Sequence, residues 1–166
     1  MFRLPAALKA KGEEAEAAFR TWLNWSGVAF LYVEQSRLNV PERLRGKIKR
    51  PDYMIGIPHA GMIAIDVKAK STYDDCLLFD AGELKKLSCF SDYFHVSVSF
   101  ACLNLDEPKR FFWVPLNCLV GCTPEKRGKA WVVALPLAQA LTVATTEPFI
   151  EAYARFGQKL FDLRRS

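Results

Sequence analysis

The chain has 166 residues, 51% hydrophobic and 25% charged, which excludes a disordered polymer and allows one sizeable core. No stretch reaches the roughly 18 uninterrupted apolar residues of a membrane span, and the opening MFRLPAALKAKGEEAE turns charged too soon for a secretory signal. The net charge of +5 favours a polyanionic partner.

From Pro5 to about Ser26, Ala15, Phe19, Trp22 and Leu23 recur at helical spacing, and Gly27 supplies a stop. Glu13, Glu14 and Glu16 suit the positive end of that helix, and Glu16 lies on the border of its apolar face. Val28 to Val33 is β-branched and aromatic, which predicts a buried strand. In the following segment Arg43, Arg45, Lys47 and Lys49 fall at alternate positions, with Arg50 next. Extended, that segment lines four cations along one side, a grip for a phosphate backbone.

Tyr53 to Ile57 and Met62 to Ala69 form a hairpin around Pro58, His59 and Gly61, with His59 a solvent-facing turn residue. Ser71 to Asp80 reads as a connection. From Ala81 on, Leu84, Leu87 and Phe90 or Phe94 make a helical stripe with Lys85 and Lys86 outward. Val96 to Cys102 and Arg110 to Val114 are strands flanking a turn. The last third predicts a short helix at Asn117 to Val120, a strand at Trp131 to Leu135 and a helix at Phe149 to Leu163. The expectation is one α/β domain over 1–166 in the order α-β-β-β-α-β-β, with its core at about 5–115 and a C-terminal appendage at about 116–166.

Five cysteines (Cys76, Cys89, Cys102, Cys118 and Cys122) are an odd number without CxxC pairing. They read as reduced residues in or near the core, in a cytoplasmic setting. Cys118 and Cys122 lack a nearby histidine pair, which argues against zinc.

The chemistry concentrates at the hairpin. Alternation puts Asp66 and Lys68 on one face of their strand and Val67 on the other. The turn at Gly61 brings Asp52 back toward Asp66. Two carboxylates and an ammonium converging there are costly unless a divalent cation or an anionic substrate joins them. Asp52 and Asp66 are hard oxygen donors of the kind Mg²⁺ or Mn²⁺ prefers, and the Val67 carbonyl offers another. Phosphodiester hydrolysis needs this combination of metal ligands, a neighbouring cation and flanking positive charge.

Pro51-Asp52, thirteen intervening residues and Asp66-Val67-Lys68 resemble the signature of the PD-(D/E)xK nuclease superfamily. Lys11-Gly12 followed by Glu16 is similar to the opening of archaeal-type Holliday-junction resolvases, and the resemblance runs from about Lys11 to Val114. It implies a restriction-endonuclease-like domain with a central mixed β-sheet flanked by helices. It implies a metal-dependent DNA endonuclease, structure-specific in the resolvase branch and paired there as a homodimer. Carried over, Glu16 joins the metal site, Asp52 and Asp66 are metal ligands, Lys68 is the catalytic lysine, and Lys70 and Ser71 lie at the phosphate backbone. Three other readings stand beside it: a catalytically silent DNA-binding module of the same fold, a restriction- or transposition-type nuclease, and a surface Asp66–Lys68 ion pair on an unrelated protein.

Overall fold

A computed structural model describes residues 6–163; Pro5, where the sequence places the first helix start, lies outside them. The first helix, α1, covers Ala6–Ser26 and buries Ala15, Phe19, Trp22 and Leu23, the stripe its spacing requires. Strands β1 (Phe30–Tyr32), β2 (Tyr53–Ile57) and β3 (Gly61–Ala69) follow, then β4 (Cys76–Asp80), α2 (Ala81–Phe94), β5 (Ser97–Leu103) and β6 (Arg110–Pro115). The last third supplies α3 (Asn117–Val120), β7 (Glu125–Arg127), β8 (Ala130–Pro136), β9 (Leu141–Ala144) and α4 (Phe149–Leu163).

The central sheet has the order β1-β2-β3-β5-β6-β9. It is mixed: β3 and β5 run parallel, joined by a crossover that contains α2, while the other pairs are antiparallel. A smaller sheet, β4-β8-β7, lies apart from it.

Alternation along β3 divides the interior into two layers. Ile63, Ile65 and Val67 join one cluster with Phe19 and Trp22 of α1, Trp113 of β6, and Phe149 and Phe156 of α4. Ala64 joins the other, with Leu77 and Phe79 of β4, Leu84, Leu87 and Phe90 of α2, and Leu135 of β8. Helices α1 and α4 thus cover one face of the central sheet, and α2 with the small sheet covers the other. The segment after 115 contributes the sheet's β9 edge and buries Phe149, Ala152 and Phe156 against α1 and β6.

Three local expectations are corrected. Strand β1 is an edge strand, with Leu31 64% exposed and Tyr32 49% exposed, because among the described residues it pairs with β2 alone and has no neighbour on its outer side. Cys76–Asp80 is a strand and not a connection, since its alternating Leu77 and Phe79 find β8 as an antiparallel partner. The basic segment before Asp52 is not extended. It folds into single-turn 3₁₀ helices at Arg37–Asn39 and Glu42–Leu44, because burial of Leu44 pulls the chain inward and Gly46, at φ 74°, supplies the left-handed turn.

Candidate functional site

The β2–β3 register places Tyr53 opposite Ile65, and Asp52 N donates to Ile65 O at 3.0 Å. Asp52 and Asp66 are therefore neighbours at one end of the hairpin. Both lie on the side of the sheet covered by α2, since Met54 and Ala64, two residues away on each strand, pack there. Asp66 is 0% exposed and Asp52 8% exposed. Asp52 Oδ2 accepts from Val67 N at 2.7 Å, a bond that fixes its carboxylate against the strand. Burial, then the charge of Asp66 beside it, pushes the Asp52 carboxyl up to about 7, even though the Val67 N–H favours its charged form.

Lys68 reaches Asp66 Oδ2 at 2.9 Å and also pairs with Glu83. Burial pulls its pKa down, but Asp66 and Glu83 outweigh that effect and hold it above the ordinary lysine range. Lys68 stays an ammonium. Glu83 was not anticipated as part of this cluster. It sits in the first turn of α2, where Asp80 caps the helix by accepting from Glu83 N at 2.8 Å. Burial alone raises its carboxyl, yet Lys68 and Lys49 hold it at about 2. The only sequence signal was Asp80-x-x-Glu83, which has capping-box spacing and so reads as structural; here the Glu83 side chain turns to the lysines.

Lys49 is the second departure. Its Nζ donates to Asp66 Oδ1 at 2.7 Å and Oδ2 at 2.9 Å and pairs with Glu83 as well. Its backbone N donates to Lys86 O of α2 at 3.2 Å. The cluster thus holds Asp52, Asp66 and Glu83 against Lys49 and Lys68.

The remaining sequence-derived candidates are placed around it. Glu16 lies at the rim: its Oε2 accepts from the Tyr32 hydroxyl at 3.1 Å, its backbone carbonyl accepts from the Tyr53 hydroxyl at 3.1 Å, and its charge is felt by Asp52. Arg45 and Arg50 line a groove of about 900 Å³ beside the cluster, with Arg37, Lys49, Glu83 and Lys86. Within it Arg45 Nε donates to Val40 O at 3.3 Å and Arg50 Nη2 to Ser36 O at 2.9 Å. Arg43 and Lys47 are exposed on the turns outside that lining, and Ser71 is exposed beyond β3. Lys70 turns away to the Leu78 carbonyl and lies 4.8 Å over the Phe79 ring. His59 occupies the hairpin turn, exposed and at φ 60°. Among the described residues no three acidic, histidine or cysteine side chains are arranged as a ready metal cage, and no helix is long and apolar enough to cross a membrane.

No family model and no curated protein sequence matches the chain. Among solved structures, it is similar to Hjc of Archaeoglobus fulgidus, a Holliday junction resolvase from an archaeal hyperthermophile. That match has 19% identity and a TM-score of 0.52, over 80% of this chain and 92% of that one. The bacterial homing endonuclease I-Ssp6803I matches at 10% identity and a TM-score of 0.47, over 95% of this chain and 97% of that one. The resemblance carried by Pro51-Asp52 and Asp66-Val67-Lys68 thus meets a likeness of the backbone over 80% of the chain: it has the mixed α/β fold of the archaeal Holliday junction resolvase Hjc.

Proposed function

We propose that this protein is a metal-dependent DNA endonuclease. The observation that carries the reading is the pair Asp52 and Asp66, buried side by side, with Lys68 on the same face. Two adjacent buried carboxylates place like charges together where burial makes both unfavourable, the cause of the raised Asp52 carboxyl. The donor set fits a hard divalent cation, because Mg²⁺ is commonly held by one or two carboxylates and keeps several waters. Asp52 and Asp66 would hold it, with the Val67 carbonyl and Glu16 at its margin. The chemistry that Mg²⁺ or Mn²⁺ supplies when bound is polarisation of a phosphoryl oxygen and activation of water.

The protein's own residues divide the remaining work. Lys68, kept protonated between Asp66 and Glu83, supplies fixed positive charge to the developing phosphorane and is not a proton acceptor. Glu83 orients that ammonium. Arg45 and Arg50 in the groove, with Arg43, Lys47 and Ser71 outside its lining, position the DNA backbone, while Lys70, held by the Leu78 carbonyl, is not available for that task. The resolvase-like fold makes a four-way junction the first substrate to try, cut symmetrically by a homodimer in the cytoplasm. The whole chain acts as one nuclease domain.

A cleavage panel of single-stranded, duplex, flap and four-way-junction DNA with Mg²⁺ or Mn²⁺ tests this. Wild type should cut, while Asp66→Asn and Lys68→Ala should each lose at least about a hundredfold in rate. Tight DNA binding without metal-dependent cleavage by the wild type identifies a silent binding module instead. Paired symmetric cuts on the junction alone establish resolvase activity.

A further inference from the structure

Lys49 occupies a place that phosphate recognition alone does not explain. Its ammonium spans both oxygens of Asp66, at 2.7 and 2.9 Å, and bonds Glu83 as well. Lys68 takes Asp66 Oδ2 at 2.9 Å. Both oxygens that a divalent cation needs are thus already engaged by ammonium groups, and an ammonium so close to a metal's ligand repels the metal.

The two lysines are not equivalent. Lys68 is fixed by its position on β3, two residues after Asp66. Lys49 lies in an irregular segment behind Gly46, and its side chain is 29% exposed at the wall of the basic groove. That groove also carries Arg37, Arg45, Arg50 and Lys86, so a phosphate held there attracts the Lys49 ammonium from outside. Withdrawal requires rotation of one long side chain and no change in the sheet.

We propose that Lys49 is a displaceable counter-ion that couples DNA binding to metal binding. Seated on Asp66 and Glu83, it keeps a divalent cation out; drawn onto a phosphate in the groove, it frees Asp66 Oδ1 and removes one positive charge from beside the Asp52–Asp66 pair, which favours a doubly charged ion there. Metal and DNA both favour the withdrawn arrangement, so each strengthens the other's binding, and the coupling is reciprocal. This inference rests on the metal-site reading above.

The test uses the full chain and binding measurements. Mn²⁺ alone is titrated by calorimetry into wild type, Lys49→Met, Lys49→Gln, Lys49→Arg and Asp66→Asn, with circular dichroism to verify folding. Removing the charge in Lys49→Met or Lys49→Gln should tighten Mn²⁺ by about tenfold or more, whereas Lys49→Arg should stay near wild type. In a second arm, short duplex DNA is bound with and without Ca²⁺ and followed by fluorescence anisotropy. The gain that Ca²⁺ brings in wild type should shrink in Lys49→Met. Unchanged or weaker Mn²⁺ binding by folded Lys49→Met and Lys49→Gln overturns the proposal and leaves the metal site standing. If wild type and both charge-removed variants bind Mn²⁺ no better than Asp66→Asn, the metal site and the proposal fall together.

Discussion

Asp52 is a carboxyl whose ionisation the fold opposes, and replacing it with asparagine isolates that cost. Its pKa rises from the ordinary 3.8 to about 7 because it is buried beside Asp66. The folded state therefore holds a proton that the unfolded chain has released, and the protein loses stability as the pH rises from 3.8 to about 7. At about 1.4 kcal/mol per pH unit, the full cost above that window is roughly 4 kcal/mol. Asparagine never pays it and keeps an oxygen to accept from Val67 N. It also brings an amide N–H group beside Asp66; if that donor finds no good geometry, it returns about 1–3 kcal/mol. The amide cost is present at every pH, so Asp52→Asn should be about 2 kcal/mol less stable than wild type below the window and about 2 kcal/mol more stable above it. The assay is urea unfolding in EDTA across that pH range. Added Mn²⁺ should then stabilise wild type by mass action and leave Asp52→Asn unmoved. A variant that is less stable than wild type in EDTA at every pH, or a difference that does not grow with pH, refutes the argument that ionised Asp52 is strained by its surroundings.

Glu83→Gln should act in the opposite sense: because Lys68 and Lys49 hold Glu83 at about 2 instead of 4.5, its contribution is complete above pH 4.5 and disappears as the pH falls through about 2. The variant should lose roughly 3 kcal/mol at neutral pH and converge on wild type in acid, as chemical denaturation at both extremes can measure. Phe149→Ala removes a ring buried between Trp22 and Trp113 and should cost about 3–5 kcal/mol; a calorimetric melt shifted by less than a third of that rejects α4 as part of the main core.

The hairpin was legible from sequence because its signal is local: alternation fixes which side of β3 Asp66 and Lys68 share, and the turn at Gly61 fixes the return of Asp52. The stripe of α1 was legible for the same reason. Glu83 was not, because a glutamate three residues after Asp80 satisfies a helix-capping pattern and gives no hint that two lysines from other elements will claim it. Lys49 was misplaced because the alternation of Arg43, Arg45, Lys47 and Lys49 suggested an extended strand. Burial of Leu44 and the left-handed Gly46 break that period, and only Lys49 is delivered to the carboxylates. Strand β4 was hidden because its partner β8 lies more than fifty residues later, beyond the reach of any local pattern.

The helix that carries Glu16 is tied to the chain's far end. Trp22 Nε1 donates to Glu147 O at 2.9 Å, and Phe149 N donates to Ser26 Oγ at 3.0 Å, across sequence separations of 125 and 123 residues. During synthesis α1 is made first but waits for almost the whole chain before this face of its core can close. A nascent or truncated polypeptide that already contains Glu16, Asp52, Asp66 and Lys68 therefore lacks the clamp that seats the first of them. The seating of Glu16 beside the hairpin thus waits until translation has passed the start of α4.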